Sequence, residues 1–171
     1  VLDNEAPMVN LVNPENNSFL NVSAVTLIFN ETDNFASTVV CSLVLDGSVN
    51  ATNSSVINNT NTGFALTDIS DGVHTWSVNC TDTAGNMGNS SIRIFTVDTI
   101  LPDLDILNPT QDSWYSSNNT NLNYTVNDTN VDSCWYVLNG AAEVQLENCI
   151  NTTLTDLPEG LNNLTVFVND S

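Results

Sequence analysis

Four cysteines, one histidine, a surplus of carboxylates and a dense scatter of Asn-x-Ser/Thr triplets are the groups that could do chemistry in this chain of 171 residues. Cys41, Cys80, Cys134 and Cys149 could pair as disulfides or hold a metal. No Cys-x-x-Cys or Cys/His cluster exists and His74 is the single histidine, so a zinc site fails on spacing. Disulfides are the better reading, and they imply an oxidising, extracellular compartment. Four cysteines permit three pairings. Cys134 and Cys149 enclose a short loop, and pairing within each half of the chain respects domain independence.

Fourteen sequons begin at Asn16, Asn21, Asn30, Asn50, Asn53, Asn58, Asn79, Asn89, Asn118, Asn123, Asn127, Asn151, Asn163 and Asn169. Composition alone would produce about six. The excess predicts N-linked glycans, which hydrate a surface where charged side chains are scarce. Charged residues are only 12 %, while Asn, Thr and Ser number 29, 20 and 16.

Twenty acidic side chains face one basic residue, Arg93, for a net charge of −19. Without Lys or Arg patches there is nothing to neutralise phosphates, which excludes nucleic acid by the usual electrostatic route and anionic lipid likewise. Lysine catalysis is excluded outright. No run approaches the about 20 apolar residues of a membrane span, and no signal peptide opens the chain. One histidine on a strand is a poor general base, and oxidised cysteines offer no thiolate. The expectation is a non-enzymatic protein. The acidity instead allows cation binding. Asp82, Asp98, Asp103 and Asp105 lie around the middle of the chain and are candidate ligands for a structural Ca²⁺, which needs six to eight oxygens.

The elements that must carry these groups are strands. Ala24 to Asn30, Thr38 to Asp46 and Val73 to Cys80 alternate with period two, and no segment sustains a 3.6-residue apolar period. Asp46-Gly47 and Asn139-Gly140 are hairpin signals. The pattern also repeats. Asp3…Pro7 returns as Asp98…Pro102, Asn13-Pro14 as Asn108-Pro109, and Ser18-Phe19-Leu20 as Ser113-Trp114-Tyr115, all offset by 95. Cys41 then matches Cys134, Asp71-Gly72 matches Glu159-Gly160, and Val78 matches Val166, at offsets that fall to 93 and 88.

About seven short strands in each copy describe an immunoglobulin-like sandwich. The predicted fold is all-β: two tandem immunoglobulin-like domains, residues 1–98 and 99–171. In the first, Cys41 and Cys80 fall on neighbouring strands, so a bridge between them is reasonable, and Trp76 faces the core. Repeat one closes with a strand from Ser91 to Val97 that repeat two lacks. Either the polypeptide continues or another molecule supplies that strand. Val1-Leu2-Asp3 reads as the tail of an earlier strand, which predicts a longer protein. Trp114 and Tyr115, expected at a strand edge, and outward-facing Trp135 are candidate binding aromatics.

These motifs resemble the tandem Ig-like repeats of archaeal and bacterial surface proteins. Such repeats open with Asp-Thr-x-x-Pro, here Asp98 to Pro102, and carry a Leu-Asp-Gly hairpin, here Leu45-Asp46-Gly47. They close with Asp-Gly-x-His, here Asp71 to His74, and with Asp-x-Ala-Gly-Asn, here Asp82 to Asn86. Repeat two departs from this with Asn162 in the histidine position. The cysteines and the Asn/Thr usage look most like archaeal secreted proteins. The resemblance implies a structural role at the cell surface, in a rod or filament assembled from copies of itself or from neighbouring repeats. It also implies Ca²⁺ at repeat junctions in some relatives. An adhesin stalk or module that binds glycan or protein on another cell is the alternative. An accessory domain of a secreted hydrolase is a third.

Overall fold

A computed structural model describes residues 2–170. It divides into two compact units between Thr99 and Ile100, one residue beyond the sequence boundary. Both are all-β.

The first unit contains β1 (Met8–Asn13), β2 (Ser18–Leu20), β3 (Val25–Thr32), β4 (Thr38–Leu45), β5 (Ser48–Ile57), β6 (Thr62–Leu66), β7 (Gly72–Thr81), β8 (Met87–Asn89) and β9 (Arg93–Val97). One sheet has the order β1-β3-β6, and the other β2-β9-β7-β4-β5 with β8 also on β7. The count is nine rather than seven because the opening and closing strands are each broken. At the opening the chain passes Pro14, which lacks an N–H, and changes sheets: β1 pairs with β3, β2 with β9.

Strand alternation builds the core. Leu27 and Phe29 of β3 face Cys41 and Leu43 of β4, Trp76, Val78 and Cys80 of β7, and Phe95 and Val97 of β9, all at most 1 % exposed. Cys41 sits directly opposite Cys80 in the β4–β7 register, and the two form a disulfide. Between β4 and β5, Asp46 and Gly47 both have positive φ (49° and 77°), as a two-residue type I′ turn demands. Among the described residues Arg93 binds no carboxylate. Its guanidinium donates to the carbonyls of Leu11 (2.7 Å), Val12 (3.0 Å) and Pro14 (2.7 Å), tying β9 to the end of the opposite sheet.

The second unit contains β10 (Asp103–Asn108), β11 (Thr120–Asn127), β12 (Val131–Leu138), β13 (Val144–Leu146), a single 3₁₀ turn (Glu147–Cys149), β14 (Thr152–Leu154) and β15 (Leu164–Asp170). Its sheets run β10-β11-β14 and β13-β12-β15, reproducing the first unit without β2, β8 and β9. β1 and β10 carry a bulge at the same place, and Asn13-Pro14 and Asn108-Pro109 are both cis. Leu122, Tyr124, Cys134, Leu146, Leu154 and Val166 form the smaller core, while Leu164 and Val168 stay half-buried. The reason is visible in the first unit, where β9 covers the corresponding edge of β7 and contributes Phe95 and Val97.

The same difference corrects one expectation. Ser113-Trp114-Tyr115 aligns with β2 but forms no strand. β2 exists by parallel pairing to β9, and the described residues of the second unit offer no such partner. Cys134 pairs with Cys149, on the connector after β13.

The two bridges close loops of different length, with sequence separations of 39 and 15. In the chain-entropy account they stabilise their units by about 4 and about 3 kcal/mol. Thermal unfolding of Cys41→Ala/Cys80→Ala and of Cys134→Ala/Cys149→Ala should therefore each lower one transition and leave the other in place. A pair of variants that each lowered both transitions equally would contradict independent units.

Candidate functional site

Three aspartates converge at one end of the first unit. Asp3 precedes β1, Asp33 follows β3 and Asp82 follows β7, and each places a carboxylate oxygen within 4.8 Å of the others. Asp33 and Asp82 continue the inward parity of their strands, which carries them to the rim of the core. Asp82 also orders its own loop: Oδ1 accepts the amides of Ala84 and Asn86 (both 2.8 Å) and Oδ2 accepts the Asn86 side chain (2.8 Å). Burial pushes its pKa up, but these bonds outweigh it and hold the carboxyl below the usual range. Asp33 Oδ1 accepts the amides of Phe35 and Ala36, while its Oδ2 is buried without a hydrogen-bond partner.

Glu31 lies two residues before Asp33 on the same face of β3. It is 0 % exposed, and neither carboxylate oxygen has a partner. Burial first, then repulsion from Asp33, raises its pKa. A buried carboxyl without a partner, repelled by Asp33 of the three-aspartate group, is the electrostatic setting a hard, oxygen-loving cation resolves. The sequence expectation of Asp82, Asp98, Asp103 and Asp105 as one set is not what the fold assembles. Asp103 and Asp105 alternate outward along β10. Asp82 sits with Asp3 and Asp33 instead. Two signals could have found them. A carboxylate stands at an inward position of the Val25-Leu27-Phe29-Glu31 alternation. Asp3, Asp33 and Asp82 align with Asp98, Asp128 and Asp170 at the same drifting offsets.

At the other end of β7, His74 is 9 % exposed. Nδ1 lies 2.8 Å from Asp46 Oδ2 and Nε2 lies 2.8 Å from the Ser70 carbonyl. Both partners are acceptors, so the imidazolium satisfies both. Burial lowers the His74 pKa, but the Asp46 and Ser70 bonds outweigh it and the net shift is upward. Asp46 is lowered: burial works against this, and the bonds from His74 and the Thr75 amide prevail. This Asp–His pair latches the β4–β5 turn to β7. In the second unit the aligned residues Asn139 and Asn162 make the same latch without charge, through a 2.8 Å amide–amide bond. The Asn139 Oδ1 also accepts the Asn163 amide, as Asp46 Oδ1 accepts that of Thr75.

Nine of the sequon asparagines are exposed, and Asn30, Asn53, Asn58, Asn79 and Asn123 are half-buried. Asn58 is committed elsewhere: its Nδ2 donates to the carbonyls of Asp33 (2.7 Å) and Ala36 (2.9 Å), and its Oδ1 accepts the Asp33 amide. A sugar on that nitrogen would break the loop it closes. Of the candidate aromatics, Trp114 is 97 % exposed. The Tyr115 hydroxyl accepts the Thr110 amide at 2.9 Å and pins the 108–115 loop. Trp135 points outward, half-buried, stacked on Phe167.

Residues 13–99 match the family model for the bacterial Ig-like domain. The chain belongs to that family. No curated protein matches it. Among solved structures, this Ig-like chain resembles the fibronectin(III)-like modules of CbhA from Clostridium thermocellum, at 12 % identity over 95 % of this chain and 86 % of that one, with a TM-score of 0.51. It is also similar to a 1.5-MDa bacterial ice-binding adhesin (16 % identity, 96 % and 55 % covered, TM-score 0.43) and to the FN1-FN3 domains of chicken CNTN1 (14 %, 96 % and 63 %, TM-score 0.41). At 12 % identity the likeness to the CbhA modules shows the fold alone. A disulfide-bonded Ig-like domain is an extracellular-type module, of a kind that is typically structural rather than catalytic.

The latch gives the two units different responses to pH. The His74 contribution is fully present below the ordinary value of 6.5 and lost as pH rises through its raised folded value. The Asp46 contribution is present above 3.8 and lost as pH falls through its depressed folded value. The first unit should therefore be most stable in the mildly acidic window between them. His74→Gln should lower its transition near pH 6 by about 1 kcal/mol or less, since the half-exposed Asp46 is screened by water. The loss should shrink at alkaline pH to what the neutral ring contributes through one hydrogen bond and its stacking on Phe95, and Asn162→Gln should show no such pH dependence.

Proposed function

We propose that this chain is a non-enzymatic stretch of a glycosylated cell-surface rod or filament built from Ig-like repeats. The observation that carries the reading is the pairing of tandem Ig-like units with a separate disulfide inside each. A bridge enclosed within a unit limits how far that unit can be drawn out by tension between its ends. Glycans on exposed sequons cover the outside, and the surplus of negative charge opposes unspecific clumping. β15 pairs on one edge with β12, and a strand laid along its other edge would extend the sheet in an assembly of repeats. A second reading, an adhesin stalk or tip, is favoured by Trp114, which projects an indole into solvent.

Single-molecule stretching tests the tensile role. With bridges intact, unfolding of the first unit should release a contour length shorter by about 13–14 nm than under reducing conditions, and that of the second shorter by about 5 nm. Equal lengths with and without reductant would remove the disulfides from the load path. Electron microscopy of native material separates the two readings: continuous rods or filaments support the first, and isolated rods that bind glycans through Trp114 support the second.

We further propose that Asp3, Asp33 and Asp82 seat a structural Ca²⁺, whose charge would relieve the repulsion between Asp33 and buried Glu31. Ca²⁺ at about 100 times its Kd should stabilise the first unit by about 2.7 kcal/mol. Asp33→Asn keeps an oxygen for the Phe35 and Ala36 amides but removes the charge, and it should abolish the Ca²⁺ effect. Melting curves identical in Ca²⁺ and in chelator would end the proposal.

A further inference from the structure

The outer face of the β12–β15 pair carries an aromatic stack that the fold does not require. Phe167 lies directly opposite Trp135 in the strand register, their ring centroids 5.5 Å apart and their planes 8° from parallel. Phe167 is 39 % exposed. In the first unit the aligned outward positions are Ser42 and Asn79, also directly opposite one another. The same sheet therefore forms with polar residues at these positions, and the rings in the second unit need another explanation.

Asn169 supplies one. It is exposed, begins the sequon Asn169-Asp170-Ser171, and sits two residues beyond Phe167 on β15. Residues i and i+2 of a strand share a face, about 6.5–7 Å apart. Opposite Asn169 is Ser133, a small residue that leaves the space above it open, and Trp135 is the diagonal neighbour. A sugar ring attached to the Asn169 amide is thereby brought over the edge of an aromatic platform. The axial C–H groups of a pyranose are weakly positive and the face of an aromatic ring is negative, so the two attract as the apolar area is buried. Three other sequons follow a large exposed apolar residue by two positions: Asn21 after Phe19, Asn89 after Met87 and Asn163 after Leu161. None of these is backed by a second ring.

We propose that Asn169 is a glycan acceptor whose first sugar packs on the Phe167–Trp135 stack and thereby stabilises the second unit. This rests on the glycosylated-surface reading above. The donor is an oligosaccharide linked to a polyprenyl phosphate. The carboxamide nitrogen bonds to the anomeric carbon, the carbon–oxygen bond to the lipid phosphate breaks, and the nitrogen gives up one proton.

The full chain, produced in a host that performs N-glycosylation and in one that does not, tests this. Glycopeptide mass spectrometry should place sugar on Asn169. In the glycosylating host, Asn169→Gln should lower the transition of the second unit by about 3 °C or more. That difference should disappear in a Phe167→Val background, which keeps a strand-forming residue, and in the non-glycosylating host. On glycan trimmed to one residue, the sugar protons of the folded wild type should show upfield ring-current shifts, a readout that survives if Phe167→Val fails to fold. Unshifted sugar protons, or an unchanged Asn169→Gln effect without the ring, would overturn the packing. A bare Asn169 beside occupied sequons would overturn the site while leaving the glycan coat standing. Protein without sugar on any sequon would overturn both.

Discussion

Both units are organised around one antiparallel strand pair, β4 with β7 and β12 with β15. Its register sets where every chemically distinctive group falls. In the first unit that register brings Cys41 opposite Cys80, carries Asp82 to one rim of the core and delivers His74 to Asp46 at the other. In the second it brings Cys134 opposite Val168, so the sulfur must look elsewhere and finds Cys149 in the connector. It also stacks Trp135 on Phe167. A slip of one residue in either pair would turn all of these to the wrong face.

On this scaffold amides do work that charged groups usually do. The Asp46–His74 pair becomes Asn139–Asn162 with a matching backbone contact, and Asn58 ties down the 33–36 loop with three bonds. A carboxamide both donates and accepts, so it can satisfy a turn in either direction without desolvating a charge. That explains how a chain with 12 % charged residues keeps its loops ordered. Charge is retained where a neutral group would not serve, in the aspartates at the rim and in the guanidinium of Arg93.

Much of this was legible in the sequence because strand period and repeat offset are local signals. The alternations at Val25, Thr38 and Val73, the Asp46-Gly47 turn and the matching of Val78 with Val166 all read directly. The Asp3, Asp33 and Asp82 group did not, because its members lie in three loops whose convergence depends on how the sheets stack. Glu31 fell one residue beyond the Ala24 to Asn30 alternation as read from the sequence, whereas the strand runs on to Thr32. Ser113-Trp114-Tyr115 misled for a related reason: local likeness to β2 says nothing about the distant parallel partner on which β2 depends.

Arg93 has a further consequence. The chain contains no lysine, so this arginine is the single peptide position at which a trypsin-like protease could cut. It lies within β9, and its side chain is engaged with three backbone carbonyls of the opposite sheet. Entering a protease pocket requires the guanidinium to leave those carbonyls and the strand to leave β7, which is to say that the first unit must open. Within these residues, cleavage after a basic side chain therefore tracks the opening of the first unit. The scarcity of cations that shapes the surface electrostatics thus also ties cleavage at Arg93 to the opening of its unit.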